Sequence, residues 1–284
     1  MLAEKIVDCH NTHGESILWN HEDRKLWWSD IEGKKLWWLD PRDKTYGYQL
    51  LDQRLCAFAF REKGGMILAF DTAVVLQDRT GHQQQVARFE PLNSETRLND
   101  ACTDAEGRFI VGGMNEQSGN ADSSVIRVNA DLTVETLLTR VSCSNALALS
   151  PDNQWLYFAD TPQGTVRRYE YASLTKADPE PGTVYPAEVV GGLPDGACVD
   201  SEGGLWIALW GGSAVVRINA KGEQTHKITL PVAYPTCCAF GGADLKTLFI
   251  TTSRIGTSTP LEADGSLFSV ATPFQGTLSP FFRG

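Results

Sequence analysis

One phrase recurs along this chain and limits its fold more than any other feature: a short apolar strand, a polar turn, and a second apolar strand. It is clearest from Asn145, where NALALS is followed by the turn PDNQ, the strand WLYFADT, the turn PQG and the strand TVRRYEY. A second copy opens at Asp195 with DGACVD, SEGG, LWIALW, GGS and AVVRINA. Short runs of β-branched and aromatic residues, cut by Gly, Pro, Asp and Asn, read as strands and turns. The opening strand returns as ESILWN from Glu15, CAFAFR from Cys56, NDACTD from Asn99 and TCCAFG from Thr236, at intervals of 41, 43, 46, 50 and 41 residues. Units of this length and strand content predict an all-β, six-bladed β-propeller. Six units span residues 1–284 as a single domain, with no linker left over.

Local detail agrees with strands. LWWSD (Leu26 to Asp30) and LWWLD (Leu36 to Asp40) flank IEGK, which reads as a hairpin turn. Two longer polar stretches, Asn115 to Ser124 and Ala172 to Gly192, read as rim loops. The last unit runs short of strands after SLFSVAT. A strand near Lys5 to Cys9 is therefore expected to complete it and remove an open edge.

The first strand of each propeller blade lines the central channel, so the residues that open the six units should form a ring. They are Glu15, Cys56, Asn99, Asn145, Asp195 and Thr236. Each carries a heteroatom although apolar strands follow. Carboxylates and amides converging on one axis suit a hard or borderline divalent cation, so calcium, magnesium, manganese and zinc all remain open. Asn or Asp before a strand also caps turns by bonding backbone amides, but turn capping does not explain four such residues in one register.

Other chemistries find little support. The histidines, His10, His13, His21, His82 and His226, show no HExxH spacing, and there is no GxSxG, P-loop or GxGxxG motif. His13 reads as a surface or hydrogen-bonded histidine, with the channel mouth as an alternative. The seven cysteines are odd in number, lack CxxC spacing and mostly adjoin apolar runs, which suits buried thiols rather than a disulfide framework. Acidic residues outnumber basic ones 35 to 25, a formal charge of -10, which repels phosphate backbones and anionic lipid heads. No nucleic-acid or membrane partner is expected. Met1 to His10 lacks a signal-peptide core, and the expectation is a soluble, cytoplasmic protein.

At the same residues the chain resembles the SMP-30/gluconolactonase/LRE-like family of sugar lactonases. The family phrase LGEGPxW stands here as Gly14-Glu15-Ser16-Ile17-Leu18-Trp19, with His13 in place of Leu and Ser16-Ile17 in place of Gly-Pro. RxND stands as Arg97-Leu98-Asn99-Asp100, SNGLAxSPD as Ser144 to Asp152, and PDGxxxDxxGxLWxAxWGG as Pro194 to Gly212. The resemblance implies a six-bladed propeller with one divalent metal ion in the channel, held by Glu15, Asn145 and Asp195. It also implies that Arg97 and Asn99 meet the substrate or metal-bound water. The family's acidic substrate-binding residue falls near Gln117, where Glu116 precedes it.

The function expected from this is metal-dependent opening of a sugar lactone, of pentonolactone or gluconolactone type, to its acid. Asp195 is the candidate general base, or a ligand alone. Arg97, Asn99 and Gln117 are the substrate-binding candidates. Trp210 either walls the pocket or packs between blades. The alternatives are an ester or organophosphate hydrolase on the same fold, and a calcium- or sugar-binding regulator without catalysis.

Overall fold

A computed structural model describes residues 1–88, 95–175 and 179–284. Its strands form six antiparallel four-stranded sheets. The first strands of the sheets are Gly14–Asn20, Leu55–Phe60, Thr96–Thr103, Ser144–Leu149, Leu193–Val199 and Pro235–Gly241. Each contacts the first strand of the sheets before and after it, and the sixth contacts the first. The sheets are thus six blades around one channel. All six residues expected to open a blade lie on these inner strands.

Packing between blades supplies the core. Trp28, Trp206, Phe109, Phe158, Phe268 and Phe282 are among its largest fully buried side chains. Full burial of such a side chain contributes about 1.5–3 kcal/mol. Trp28 and Trp37, opposite each other on neighbouring strands of the first blade, stack at 5.7 Å. All seven cysteines are free thiols.

The ring closes as expected. Glu4–Val7 is the outermost strand of the sixth blade and pairs with Leu267–Ala271, Glu4 opposite Ser269. The opposite end of the chain covers the channel floor: Phe282 donates its backbone N–H to Phe60 O at 2.7 Å, and Arg283 donates to Gly107 O at 2.9 Å. Above this tail lies a cavity of about 180 Å³, lined by Ile17, Ala148, Cys198, Cys238 and Pro280 and reached from the mouth side by Asp100.

The expected rim loops are partly built into blades. Residues 116–122 connect the strands Phe109–Asn115 and Ser123–Val128. Of Ala172 to Gly192, residues 176–178 lie outside the described residues. The remainder holds the fourth blade's outer strand, Thr183–Tyr185, and a short helix, Ala187–Val190. Three strand residues among Pro and Gly are too few for sequence periodicity to register.

Candidate active site at the channel mouth

Local backbone chemistry turns the expected residues toward the axis. Every inner strand breaks register near its site residue, between Glu15 and Leu18, Leu55 and Ala57, Leu98 and Ala101, Asn145 and Ala148, Pro194 and Ala197, and Pro235 and Cys238. A bulge inserts a residue into a strand and re-aims its side chains. Ser16 (φ 50°) and Ala146 (φ 51°) take left-handed backbone just after Glu15 and Asn145. At Gly196 the need is different: a Cβ there would stand 2.5 Å from Cys237 Sγ on the next inner strand.

The loops leading into two of these strands are tied down by carboxylates from the second strand of the same blade. Asp30 accepts the N–H groups of His13 at 2.9 Å and Thr12 at 3.2 Å. Asp160 accepts those of Cys143 at 2.8 Å and Ser142 at 3.2 Å. The terminal Asp of LWWSD and of WLYFAD therefore positions Glu15 and Asn145.

The amides form a chain across three blades. Asn99 Nδ2 donates to Asn145 Oδ1 at 3.1 Å and to Ser144 O at 2.9 Å. Asn145 Nδ2 donates to Thr161 Oγ1 at 2.8 Å, which donates to Pro194 O, beside Asp195, at 2.8 Å. Arg97 Nη1 donates to Asn99 Oδ1 at 2.8 Å. Cys56 and Thr236, also in the ring, are taken up otherwise. Burial pushes the Cys56 thiol up to about 12, and the Thr236 hydroxyl ties the sixth blade to Gly14 O of the first.

Three carboxylates crowd this end of the channel. Burial, and then the charge of Asp100, push Glu15 up to about 8. Burial pushes Asp100 up to about 7, against the N–H bonds it accepts from Leu147 and Ala101. Asp195 is raised well above the usual range by burial, then by Glu15 and Asp100. The guanidinium of Arg97, itself 5% exposed, opposes this for Glu15 and Asp195. Desolvated carboxylates that repel one another with one nearby guanidinium are a chemical fit for a divalent cation. Among the described residues no three His, Cys, Asp or Glu side chains form a tight metal cluster. Asp100 was absent from the expected ring.

A second layer surrounds Arg97. Its Nε donates to Glu116 Oε1 at 2.7 Å. Arg54 grips the same carboxylate with two bonds of 3.0 Å and also pairs with Glu32 at 2.9 Å and Asp71 at 2.8 Å. Burial alone would raise Glu116, but the bonds from Arg54 and Arg97 hold it below the usual range. Gln117 gives its backbone N–H to Asn115 Oδ1 at 3.0 Å, and the residue is exposed. The acidic partner of Arg97 is thus Glu116, one residue earlier than the motif spacing suggested.

On the opposite wall, Trp210 is edge-on to the His13 ring at 5.7 Å and packs on Tyr234 at 4.7 Å. It packs between blades, against residues that lead into the first and sixth. His13 is hydrogen-bonded, with Nδ1 3.0 Å from Ser253 Oγ. Burial, followed by the charge of Arg97, lowers its pKa to about 3.

These features define a six-bladed propeller with an acidic, arginine-flanked site at one end of its channel. Residues 13–254 match the model of the SMP-30/Gluconolactonase/LRE-like region. The chain belongs to that family. It is 35% identical to a 6-deoxy-6-sulfogluconolactonase of Pseudomonas putida, over 95% of each chain. It is 34% identical to an L-arabinolactonase of Azospirillum brasilense, over 99% of this chain and 96% of that one. Its fold matches the crystal structure of a calcium-binding protein, regucalcin, from Agrobacterium tumefaciens, with a TM-score of 0.89 and 24% identity, over 99% of this chain and 97% of that one.

Proposed function

We propose that this protein hydrolyses a sugar lactone to the corresponding acid, using one divalent metal ion held by Glu15, Asn145 and Asp195. The observation that carries the reading is the crowding of Glu15, Asp100 and Asp195 beside a buried Arg97 at the channel mouth. The relatives named for sugar lactones support the substrate class. Pentonolactones and gluconolactones both fall within this substrate class. The cation, whether calcium, zinc, manganese or magnesium, would polarise the lactone carbonyl and acidify water.

The remaining work falls to side chains. Asp195 takes a proton from the attacking water as general base; burial strengthens a carboxylate for this task. Arg97 presents its fork to the substrate hydroxyls or to the oxyanion that develops at the carbonyl. Glu116 keeps that fork in place. Asn99 orients the lactone from between Arg97 and Asn145, and Gln117 contributes from the rim. The enzyme works as one soluble, cytoplasmic domain.

The test is a pH-indicator assay over a panel of aldonolactones, simple esters and phosphotriesters. Asp195→Ala and Glu15→Ala should lower kcat for lactones by about a thousandfold, with the circular dichroism of the propeller retained. Full lactone turnover in either folded variant would overturn the site assignment. Turnover of esters or phosphotriesters alone would overturn the substrate class.

A further inference from the structure

A second guanidinium stands behind Arg97. Arg54 lies in the segment that joins the outer strand of the first blade, Thr45–Leu50, to the inner strand of the second, Leu55–Phe60. Its Nη1 and Nη2 donate to the two carboxylate oxygens of Glu116 at 3.0 Å each, and its Nε stands 2.8 Å from Asp71 Oδ1. Nη1 also donates to Glu32 Oε1 at 2.9 Å. Glu32 sits in a turn of the first blade, between Lys25–Asp30 and Lys35–Asp40. Asp71 follows Met66–Phe70 of the second blade, and Glu116 follows Phe109–Asn115 of the third. One side chain thus ties three blades together at the rim.

These bonds pass an orientation from one group to the next. A guanidinium is planar, with its donors in a rigid fork. Asp71 and Glu32 fix the plane of Arg54. The paired bonds to Glu116 then fix both of its oxygens, because bidentate pairing sets geometry as well as energy. Glu116 opens the stretch 116–122, beyond the strand, so strand pairing does not aim its side chain. Its Oε1 receives Arg97 Nε at 2.7 Å, while Arg97 Nη1 is held by Asn99 Oδ1 and Leu98 O at 2.8 Å each. The Arg97 fork is therefore pinned at both ends, and the Glu116 end is only as steady as Arg54 makes it. Arg54 commits its fork to three carboxylates, which suits a brace rather than a contact with substrate.

We propose that Arg54 is a positioning residue for the reaction, acting through Glu116 on the Arg97 guanidinium without meeting the substrate itself. This rests on the lactonase reading above.

The experiment measures kcat and KM for an aldonolactone with wild type, Arg54→Met, Arg54→Lys, Glu116→Ala and the double variant Arg54→Met/Glu116→Ala, with circular dichroism and melting temperature for each. Arg54→Met and Arg54→Lys should each lower kcat/KM by about ten- to a hundredfold. Lysine should not rescue, since a pivoting ammonium keeps the charge and loses the fork. Glu116→Ala should move the same constant, kcat or KM, at least as far. Adding Arg54→Met to Glu116→Ala should change neither constant further. Arg54→Lys preserves the charge balance and carries the test if Arg54→Met does not fold. Losses that multiply in the double variant would mean that Arg54 meets the substrate directly, and would overturn the proposal. So would full activity in Arg54→Lys, or a lower melting temperature in the Arg54 variants with kcat and KM unchanged, which would leave Arg54 a brace between blades. All three outcomes leave the lactonase reading standing. No lactone turnover by wild type would remove that reading, and this inference with it.

Discussion

Ala146 holds a left-handed backbone (φ 51°) with its side chain fully buried, directly after Asn145. The family phrase has glycine there, and a non-glycine residue in this region is strained. Ala146→Gly should therefore keep the fold and its metal affinity. Ala146→Val adds a branched side chain at positive φ and should cost about 2 kcal/mol in urea unfolding. Equal stability of the two variants would show that the bulge does not depend on this backbone. The same bulges explain which residues the sequence revealed. Glu15, Asn145 and Asp195 were legible because each opens a repeat unit. Asp100 was not, because strand alternation would send it away from the face used by Asn99. The register break between Leu98 and Ala101 cancels that alternation. Glu116 was displaced by one residue for a related reason: it follows the strand end at Asn115, where spacing no longer fixes side-chain direction.

At the scale of elements, the channel is sealed and closed by chain ends. The strand Glu4–Val7 was legible from an arithmetic deficit, since the last unit lacked a fourth strand. The C-terminal plug was not, because SPFFRG has no strand periodicity and gains its place by contact alone. Phe282 is fully buried there, between a backbone bond to Phe60 O and one from Glu62 N–H. Phe282→Ala should cost about 3–5 kcal/mol of unfolding free energy, as for other buried phenylalanines. The cost should appear as a lower denaturation midpoint with lactone turnover retained at low temperature, since the plug lies across the cavity from the mouth. An unchanged midpoint would contradict the plug. The outer strand Thr183–Tyr185 escaped sequence reading because its three residues sit between proline and glycine signals that mark turns.

For the whole molecule, the first, third and fifth blades each bring one carboxylate to the same end of the channel, which makes stability depend on pH and on cations together. Glu15 and Asp100 are raised to about 8 and about 7 in the fold, against about 4 in an unfolded chain. Between those values the folded protein binds more protons than the unfolded one, so stability falls as pH rises. The contribution is fully present below about pH 4 and is lost on rising through about pH 7–8. With a chelator present, the melting temperature should drop between about pH 5 and pH 8. Glu15→Gln should reduce that drop, and a saturating divalent cation should reverse it. A melting temperature that is flat over this range, and insensitive to Glu15→Gln, would contradict the electrostatic account.

The most direct test of the central claim, that these carboxylates hold a catalytic cation, is lactone hydrolysis by one sample chelated exhaustively and then reloaded. The account predicts that proton release from an aldonolactone falls to the uncatalysed rate on chelation. It should return on addition of one equivalent of a divalent cation to wild type, and fail to return with Asp195→Ala. Undiminished hydrolysis after complete removal of metal would contradict it.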